Sequence, residues 1–532
     1  MEILAAFIQS LLQTKSAFFI TNNFLLPLVL IVLNALWIYL FAISLRNYYR
    51  TPSIDHNRQA KSSTCSNSNQ ISIKDRCNDT ELPFVSIIVP ARNEQNHIAR
   101  CLTSLLSQDY PNFEIIAVND DSTDNTLKIM HEIQKGYLYE STGSLSQQRQ
   151  KLEFIHANSK IFSINSNPLT SVNGDRRRRT DDATVTVSLG KKDFMPITDN
   201  NNKNSREKLR IISLKDKPKG WTGKTWASQQ GYLCSKGDIL IFTDADTCYI
   251  NKDTILSSIS YFKKENLDVL TGFPFVELRD FWSKMVNPVW NLIGTLFGYS
   301  AFDINNPESE AASLMGCFIA IKRKVFEDMG TYKVIRSNIR EDEALGIRTK
   351  EVGYKIRGVQ MDKSLTALWS SDLLTLWHGI ARTIVPALLN TNRNKKRKVI
   401  RDLLVIFLMT VLPFILLPYS FGIARSPNSN STSYNYSVDN SNFILDQSSK
   451  LLDQIHFIIL LLNLSACIGL FVGSSAKAVW GFKISPVYAI ISPFGATFLV
   501  VAYVTNIIFS LMIQIKKNGQ SVVWRDRKYL LG

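Results

Sequence analysis

Residues 237–249 read GDILIFTDADTCY, a short apolar run that ends in two aspartates on either side of one alanine. A continuous apolar run of this length is typical of a strand that is buried on both faces of a parallel sheet. Two interpretations of Asp244 and Asp246 are open at this point. They either form a solvated turn, because aspartate favours turns through backbone hydrogen bonding alone, or they bind a ligand.

Two earlier stretches have the same design, an apolar run followed at once by polar residues. FVSIIVP (84–90) precedes the sequence ARNE, and FEIIAVND (113–120) precedes a further acidic group. Apolar residues recur at helical spacing from Ile98 to Leu106, so a helix is predicted between these strands. The order strand, helix, strand indicates an α/β fold with a mostly parallel, Rossmann-like sheet and right-handed crossovers.

The polar ends of these three strands favour the ligand-binding interpretation. If the strands are neighbours, their ends meet in one crevice, which is where open α/β sheets place ligand sites. Carboxylates in such a crevice are hard oxygen ligands suited to Mg²⁺ or Mn²⁺, usually completed by waters and substrate phosphates. Such a convergence is less expected by chance than any one of the motifs.

Long apolar runs outside this region predict membrane helices. Phe24–Leu45, Leu403–Ile423 and Ile455–Gly473 are each long enough to cross a bilayer. The first run is too long for the apolar part of a signal peptide and lacks a small-residue cleavage site, so we expect an anchor that is retained. A fourth run, Ile484–Ile515, is interrupted by two prolines and a glycine, and we predict a broken hairpin or re-entrant segment there.

Basic residues next to the apolar runs set the expected orientation. Arg46 and Arg50 follow the first run, and a basic cluster at residues 393–401 precedes the second, so the chain between them is predicted to be cytoplasmic. A single crossing by the fourth run would put the basic tail outside, which is why a hairpin is preferred. The protein is thus expected to be a multi-pass protein of the cell membrane with a cytoplasmic catalytic domain.

Composition narrows the class of protein further. The 61 lysines and arginines exceed the 45 acidic residues, and the formal net charge of +16 fits a protein lying against anionic lipid headgroups. We expect no nucleic-acid partner, because membrane spans are present and no recognition module is found. The seven cysteines lack CxxC spacing, which argues against a zinc site or a disulfide framework.

These patterns divide the chain into regions. The predicted regions are a membrane anchor (1–50), a polar linker (51–82), an α/β domain (83–370) with a low-complexity insertion (139–207), interfacial helices with a basic segment (371–401), a C-terminal transmembrane region (402–515) and a basic cytoplasmic tail (516–532). The insertion contains Arg176–Arg179, which either contact anionic lipid or are simply solvated.

Several stretches together resemble one known family. They are VSIIVPARNE (85–94), EIIAVNDDSTDNT (114–126), KPKGWTGKTWASQQG (217–231), ILIFTDADT (239–247), MGCFIAIKRKVFEDMGTY (315–332), REDEALG (340–346) and VVWRDRKYL (522–530). The chain resembles the membrane-anchored glycosyltransferases of family 2, which have the GT-A fold, and most closely the group containing the hopanoid-associated and carotenoid enzymes. This resemblance covers about residues 84–133 and 209–358, plus the tail.

The resemblance implies roles for particular residues. Asp342 would be the catalytic base, and Asp244 and Asp246 would bind a divalent cation, Mg²⁺ or Mn²⁺. The nucleotide-sugar pocket would be lined by Pro90, Arg92, Glu94, Asp120, Lys224 and Asp244. Asn119 departs from the family's usual aspartate, and Asp121 stands where the family commonly has glycine. Trp221 and the glycines beside it match a family loop, although turn packing explains them equally well.

The predicted function is metal-dependent, inverting transfer of a hexose from a nucleotide sugar to a hydroxyl or phosphate of a lipid-type acceptor. One alternative is a processive polysaccharide synthase, but the Gln-x-x-Arg-Trp sequence of those enzymes is absent here. In its place stands LWHGIARTIVPALL (376–389), an amphipathic stretch expected at the membrane interface. Within it, Arg382 or His378 is a candidate contact for the diphosphate, with packing the other explanation for His378. A second alternative is a non-catalytic nucleotide-sugar-binding membrane protein.

Overall fold

The computed structural model describes residues 24–54, 82–141, 186–187, 208–295, 301–309, 312–389, 393–425, 440–516, 521–524 and 527–530. These residues form two compact units. Unit 1 comprises the described residues of Met1–Arg50, Leu278–Ser300 and Trp369–Gln520, and unit 2 comprises those of Thr51–Glu277, Ala301–Leu368 and Ser521–Gly532. Most of the predicted linker, most of the predicted insertion with its arginine run, and part of the basic tail lie outside the described residues.

Unit 2 is built around a mixed sheet. Its strands are β1 Val85–Ala91, β2 Phe113–Asp120, β3 Thr186–Val187, β4 Leu209–Leu214, β5 Ile239–Phe242, β6 Thr247–Tyr249, β7 Val269–Glu277, β8 Ile319–Lys322 and β9 Ile356–Leu368. A separate antiparallel hairpin consists of β10 Ser521–Trp524 and β11 Arg527–Leu530. Among the described residues the strand order is β3-β4-β2-β1-β5-β8-β7-β9-β6.

Helices account for most of the remaining described chain. In unit 2 and unit 1 together they are α1 Leu26–Arg50, α2 Ile98–Leu106, α3 Thr126–Ser141, α4 Gly223–Leu233, α5 Thr254–Lys264, α6 Phe281–Gly294, α7 Ala301–Asn305, α8 Arg323–Asp328, α9 Thr331–Val334, α10 Glu341–Glu351, α11 Leu373–Leu389, α12 Arg393–Ile406, α13 Leu412–Arg425, α14 Asn440–Ala476, α15 Val487–Ile490 and α16 Ser492–Lys516. Two π-helical turns, Phe407–Val411 and Lys477–Gly481, continue α12 into α13 and follow α14.

The sheet confirms the predicted α/β fold class. Strands β3, β4, β2, β1 and β5 run parallel, joined by helices such as α2 and α4. Strand β8 then runs antiparallel to both β5 and β7, which makes the sheet mixed while leaving parallel pairs in the majority. Because β1 lies in the middle, both of its faces are covered, and Ile87 and Ile88 belong to different apolar clusters with no exposed surface. Burying each such side chain contributes about 1.5–3 kcal/mol.

Unit 1 contains the apolar helices. Within the described residues, four helical segments are long and apolar enough to cross a membrane: Leu26–Arg50, Lys396–Arg425, Lys450–Gly481 and Ser492–Met512. The predicted broken hairpin at the last of these differs from the structure, in which α16 is one continuous helix after the short α15. The reason is position, since Pro493 is the second residue of α16 and proline is tolerated in the first turn of a helix.

Helix α6 belongs to unit 1 although it lies within the range predicted for the α/β domain. Its residues Met285, Val289 and Leu292 are buried in the same apolar cluster as residues of α1, α14 and α16. A side-chain carbon at Gly495 of α16 would meet the backbone oxygen of Met285 at 2.5 Å. The sequence analysis did not separate this helix from the surrounding domain, and the domain bounds remain a prediction.

Two glycines let helices approach closely in unit 1. A side-chain carbon at Gly469 of α14 would lie 2.9 Å from the ring of Trp37, and one at Gly473 would lie 2.6 Å from Leu292. The two glycines are four residues apart and therefore share one helix face. Small residues at this spacing allow backbones to pack tightly where lipid removes the usual hydrophobic driving force.

Candidate active site

The three polar strand ends predicted to converge belong to neighbouring strands. Strand β1 pairs in parallel with β2 on one side and with β5 on the other. Its residue Ala91 lies opposite Asn119, and the backbone N–H of Thr243 donates to the oxygen of Ile88 at 3.1 Å. The carboxyl ends of β1, β2 and β5 are therefore side by side, at the edge where parallel sheets bind ligands.

Arg92 connects the ends of β1 and β2. Its Nη1 donates to the backbone oxygens of Asp120 and Asp121, each at 2.7 Å, and lies 3.5 Å from the Asp121 carboxylate. Asp121 and Asn93 both have positive φ values, 53° and 52°, which shows that each strand turns sharply at its end. The Asp120 side chain is buried beneath this turn. Arg92 therefore fixes the backbone on which Asp120 stands.

Glu94 is buried at the start of the turn into α2. Its backbone N–H donates to Thr126 Oγ1 at 2.7 Å, and its backbone oxygen accepts from the N–H groups of His97 and Ile98, both at 2.9 Å. Pro90, just before this turn, lines a small cavity together with Lys224 and Glu341. The residues predicted at the ends of β1 and β2 are thus held in place by backbone hydrogen bonds.

The aspartate pair after β5 forms a turn whose backbone is anchored inward. The backbone oxygen of Asp244 accepts from the Thr247 N–H at 3.2 Å, and Thr243 Oγ1 donates to the backbone oxygen of Cys317 at 2.7 Å. Ala245 between the aspartates is buried, whereas the Asp244 and Asp246 side chains are half-buried. The turn and the ligand-binding interpretations are therefore both compatible with the structure. The segment is a hydrogen-bonded turn, and its two carboxylates are still partly accessible.

Lys224, the second residue of α4, bridges two carboxylates from different parts of the chain. Its Nζ lies 2.6 Å from Asp244 Oδ1 and 2.6 Å from Glu341 Oε1. Burial alone lowers the pKa of Lys224, but the carboxylates of Asp244, Glu341 and Asp342 together raise this pKa well above its ordinary value. Lys224 is therefore a permanent ammonium ion at neutral pH.

A hydrogen-bonded contact fixes the helix that carries Lys224. The Thr222 side chain caps α4 by accepting from the Thr225 N–H at 3.2 Å. The Thr222 N–H and the Thr225 hydroxyl both donate to the backbone oxygen of Arg336, each at 2.8 Å. Arg336 lies shortly before α10, the helix that begins at Glu341. The first turn of α4 and the approach to α10 are thereby held together.

Helix α10 also packs closely on the segment before β8. A side-chain carbon at Gly346 would overlap the backbone oxygen of Ala312 and lie 3.1 Å from Leu314. In the same segment, a side-chain carbon at Gly316 would lie 2.8 Å from Lys224 Nζ and 3.1 Å from Asp244 Oδ2. Glycine at these two positions therefore allows α10 and the Lys224–Asp244 pair to occupy their places.

Asp342, the predicted base, is half-buried in the first turn of α10. Its Oδ1 accepts from the backbone N–H of Glu343 at 2.8 Å, and the Glu343 carboxylate pairs with Arg340 at 2.9 Å. Asp342 is near enough to contribute to the electrostatic environment of Lys224. Helix α10 ends at Glu351, and the chain then enters β9.

The predicted residues fall into two groups. Arg92, Glu94 and Asp120 gather at the ends of β1 and β2, while Lys224 and Asp244 meet beside α10. Sequence reasoning missed three features of the second group, namely the contact of Glu341 with Lys224, the close approach at Gly316 and the link through Thr225. These residues stand within the family stretches quoted above, but nothing in the sequence indicates which of them contact one another.

Trp221 and Gly220 have a clear structural role. The Trp221 ring packs edge-on against Trp226 with ring centres 5.3 Å apart, and its backbone oxygen accepts from Lys217 Nζ at 2.6 Å. Gly220 has φ +83°, a left-handed conformation that favours glycine. Turn packing, one of the two explanations left open above, therefore accounts for both residues.

The two carboxylates after β5 are suitable ligands for a divalent cation such as Mg²⁺. In the described parts of the chain, no group of three or more His, Cys, Asp or Glu side chains is placed to hold a metal. Mg²⁺, however, is commonly held by one or two protein carboxylates, with waters and substrate phosphates completing the shell. Asp244 and Asp246, half-buried and on either side of a buried alanine, fit that pattern.

The family assignment comes from direct comparison. Residues 86–157 and 197–330 match the model of glycosyl transferase family 2. The matched residues include β1, β2, β4, β5 and β8, together with Lys224 and both aspartates. These parts of the chain therefore match glycosyl transferase family 2, and the mixed α/β sheet agrees with the GT-A fold expected for that family. The closer resemblance to hopanoid-associated and carotenoid enzymes remains a prediction.

Curated relatives match short parts of the chain. A dolichyl N-acetyl-α-D-glucosaminyl phosphate 3-β-D-2,3-diacetamido-2,3-dideoxy-β-D-glucuronosyltransferase of Methanococcus voltae is 33% identical over 94 residues, 17% of this chain and 26% of that protein. The glycosyltransferase AglE of Haloferax volcanii is 31% identical over 96 residues, 18% of this chain and 31% of that protein. A β-monoglucosyldiacylglycerol synthase of Nostoc sp. is 45% identical over 58 residues, 10% of this chain and 12% of that protein. The chain thus spans less than a third of the length of each.

Solved structures of glycosyltransferases are also similar at low identity. The mannosyltransferase PcManGT from Pyrobaculum calidifontis, solved with GDP-Man and Mn²⁺, has 13% identity and a TM-score of 0.35, with 86% of this chain and 99% of that chain covered. Staphylococcus aureus TarS residues 1–349 with UDP-GlcNAc has 13% identity and a TM-score of 0.31, with 84% and 96% covered.

Proposed function

We propose that this protein transfers a sugar from a nucleotide-sugar donor to a hydroxyl or phosphate of a lipid-type acceptor, with inversion at the anomeric carbon. The observation that carries the proposal is the position of Lys224 between Asp244 and Glu341, with Asp342 next in sequence. This places a cation, a candidate metal-binding carboxylate and a candidate base together at one edge of the sheet.

The donor would bind across the ends of β1, β2 and β5. Pro90, Arg92, Glu94 and Asp120 would line its nucleotide part, because these residues lie at the ends of β1 and β2. Lys224 is the only one of the proposed donor contacts that projects from a helix N-terminus, a position that favours phosphate through both its N–H groups and its dipole. It would contact the diphosphate.

Asp244 and Asp246 are the residues that would hold Mg²⁺ or Mn²⁺. When bound there, the ion would supply positive charge against the leaving diphosphate. Lys224 would add a second positive charge on the protein side, and preorganised charges of this kind lower the barrier to departure of the leaving group. Metal dependence is thus part of the proposal.

Asp342 would act as the base for a hydroxyl acceptor. A carboxylate within hydrogen-bond reach removes the hydroxyl proton as the oxygen attacks the anomeric carbon. One displacement, with no covalent intermediate on the protein, inverts the configuration at that carbon. Glu341 is unsuited to the same role, because its Oε1 is engaged by Lys224 and its side chain is 8% exposed.

A lipid-type acceptor is supported by two independent observations. Within the described residues, four helices are long and apolar enough to cross a membrane, so the protein is suited to a substrate in the bilayer. Two relatives carry dolichyl phosphate or diacylglycerol in their names. We further propose a multi-pass protein of the cell membrane with the transferase domain in the cytoplasm, as the basic residues beside the first two apolar runs predict.

The three candidate functions differ in their reaction products. A processive synthase would extend a single acceptor by many sugars, whereas the proposed enzyme would add one. A nucleotide-sugar-binding protein would retain donor affinity but show no turnover of either kind. Product length and donor hydrolysis therefore separate the three functions.

The test is to incubate membranes containing the full chain with a panel of labelled nucleotide sugars and to analyse the extracted lipid. Asp342→Asn should lower single-turnover transfer to a lipid alcohol by about 10²-fold or more, with donor affinity nearly unchanged. Asp120→Asn should instead weaken donor binding. Glu351→Gln, an exposed acidic residue at the other end of α10, is the matched control and should transfer at the parent rate. If Asp342→Asn transfers sugar at the parent rate, the base is another residue, and Glu343 would be tested next.

A further inference from the structure

We propose that Lys224 competes with the divalent cation for Asp244, so that the metal binds tightly only together with the donor diphosphate. This inference rests on the proposed function, since it assigns the cation to Asp244 and Asp246. Under it, Lys224 sets the order of binding as well as contacting phosphate. Glu341 then has a role of its own, as the positioning residue that holds Lys224 when the cation takes Asp244.

The competition follows from the distances. Lys224 Nζ lies 2.6 Å from Asp244 Oδ1, while a divalent cation bound to a carboxylate oxygen lies about 2.0–2.6 Å from it. Two cations on one carboxylate are within a few ångströms of each other and repel. The repulsion between +1 and +2 charges is twice that between two single charges. A bare cation must therefore overcome the ammonium already next to Asp244.

The helix that carries Lys224 is fixed in place, and its ammonium has a second carboxylate partner. Gly316 packs against the pair so closely that any side-chain carbon there would lie 2.8 Å from Nζ. The first turn of α4 cannot move away without breaking the two hydrogen bonds to the Arg336 oxygen. The second carboxylate, Glu341, remains 2.6 Å away and is largely buried. The ammonium can therefore keep one carboxylate partner when a cation takes the other.

A nucleoside diphosphate changes this balance. Its phosphate oxygens are ligands for the cation and acceptors for the ammonium, so the added negative charge offsets the repulsion between them. With the diphosphate bound, the cation can occupy Asp244 and Asp246 while Lys224 contacts phosphate and Glu341. The affinity for metal is thus expected to be low alone and high with the nucleotide.

Two substitutions should shift the metal affinity in opposite directions. Lys224→Met removes the competing charge, so Mn²⁺ alone should bind at least about tenfold more tightly, the lower end of the effect of one charge close to a carboxylate. Glu341→Gln removes the second partner of Lys224 and leaves the ammonium to Asp244, so Mn²⁺ alone should bind more weakly. If Lys224 contacts phosphate without affecting the cation, Lys224→Met leaves the affinity for Mn²⁺ alone unchanged.

The experiment measures Mn²⁺ binding to the full chain in detergent by electron paramagnetic resonance, with and without GDP or UDP. The parent should gain affinity when the nucleotide is added, and Lys224→Met should gain much less. Lys322→Met is the matched control, because Lys322 forms a comparable pair with Asp268 at 2.9 Å but lies at the opposite end of the β5–β8 pair. It should bind Mn²⁺ like the parent.

Each outcome decides one point. Unchanged Mn²⁺ affinity in a folded Lys224→Met or Lys224→Gln protein overturns the competition. Unchanged affinity in Asp244→Asn instead places the metal elsewhere and removes the premise taken from the proposed function. If no sugar transfer is found with any donor while Lys224→Met still tightens Mn²⁺ binding, the proposed function fails and the competition stands. Gel filtration and thermal unfolding of each variant establish that it is folded.

Discussion

Replacing Gly346 with alanine gives the sharpest test of how helix α10 is held in place. In the interior of an ordinary helix, this change stabilises a protein by up to about 1 kcal/mol. Here the new carbon would overlap the backbone oxygen of Ala312, which has no rotamer through which it can move aside. Overpacking costs about 1–3 kcal/mol, and a backbone neighbour favours the upper end. The net result should be a loss of about 2 kcal/mol.

A second glycine supplies the control. Gly136 lies inside α3 of the same unit, and a side-chain carbon there would have nothing within 4 Å. Gly136→Ala should therefore raise the melting temperature slightly, whereas Gly346→Ala should lower it by about 4–8 °C. Both are measured by thermal unfolding of the full chain in detergent. A Gly346→Ala protein at least as stable as the parent would refute the proposed close packing of α10.

Three further predictions concern the site and the insertion. Asp246→Asn should abolish metal-stimulated transfer while the protein remains folded, and full turnover in the presence of a chelator would contradict the metal role of this residue. Thr225→Val should cost about 1 kcal/mol and also lower turnover, because it removes one of the two hydrogen bonds to the Arg336 oxygen, while Thr225→Ser should restore both. Thr349→Val loses a comparable buried hydrogen bond within its own helix and should cost stability alone, so equal kinetic loss in both valine variants would argue against a positioning role. Deletion of residues 142–204, predicted to be a dispensable insertion, should preserve sugar transfer, and loss of folding on that deletion would show that the segment is structural.

The first half of the sheet was predictable because its strands are buried on both faces. Such strands are continuous apolar runs, and β1, β2 and β5 were all predicted from them. Strand β9 was missed because its sequence, IRGVQMDKSLTAL, alternates apolar with polar and charged residues and several of its side chains are half-buried. Strand β6 has only three residues, too few for any periodic pattern.

The helix α6 was missed for a different reason. Its sequence contains Lys284, two asparagines and Pro288, which break the continuous hydropathy that identifies a membrane span. Its apolar residues instead occupy one face, and they are buried in unit 1. The sequence could show a helix of this kind only through its periodicity, which the proline obscures.

The carboxylates of the candidate site were predictable, but their partners were not. Asp244 and Asp246 stand at a strand end, and the chemistry of strand ends is a local property of the sequence. The pairing of Lys224 with Glu341 joins residues more than a hundred positions apart, and no local pattern relates them. The link to Arg336 uses a backbone oxygen, which every residue type possesses, so the side chain at that position carries no signal of it.

The assignment of α6 to unit 1 has consequences for fragment design and for the order in which the protein folds. The chain leaves unit 2 after β7, contributes α6 to the apolar unit, and returns to complete the sheet with β8 and β9. Cutting away the ends of the protein cannot therefore separate unit 2 from unit 1, because α6 lies between β7 and β8 in the sequence. During synthesis, α6 emerges from the ribosome before β8 and β9, so the sheet of unit 2 can be completed only after part of unit 1 has been made. Folding of unit 2 is thus expected to finish only after α6 has been synthesised.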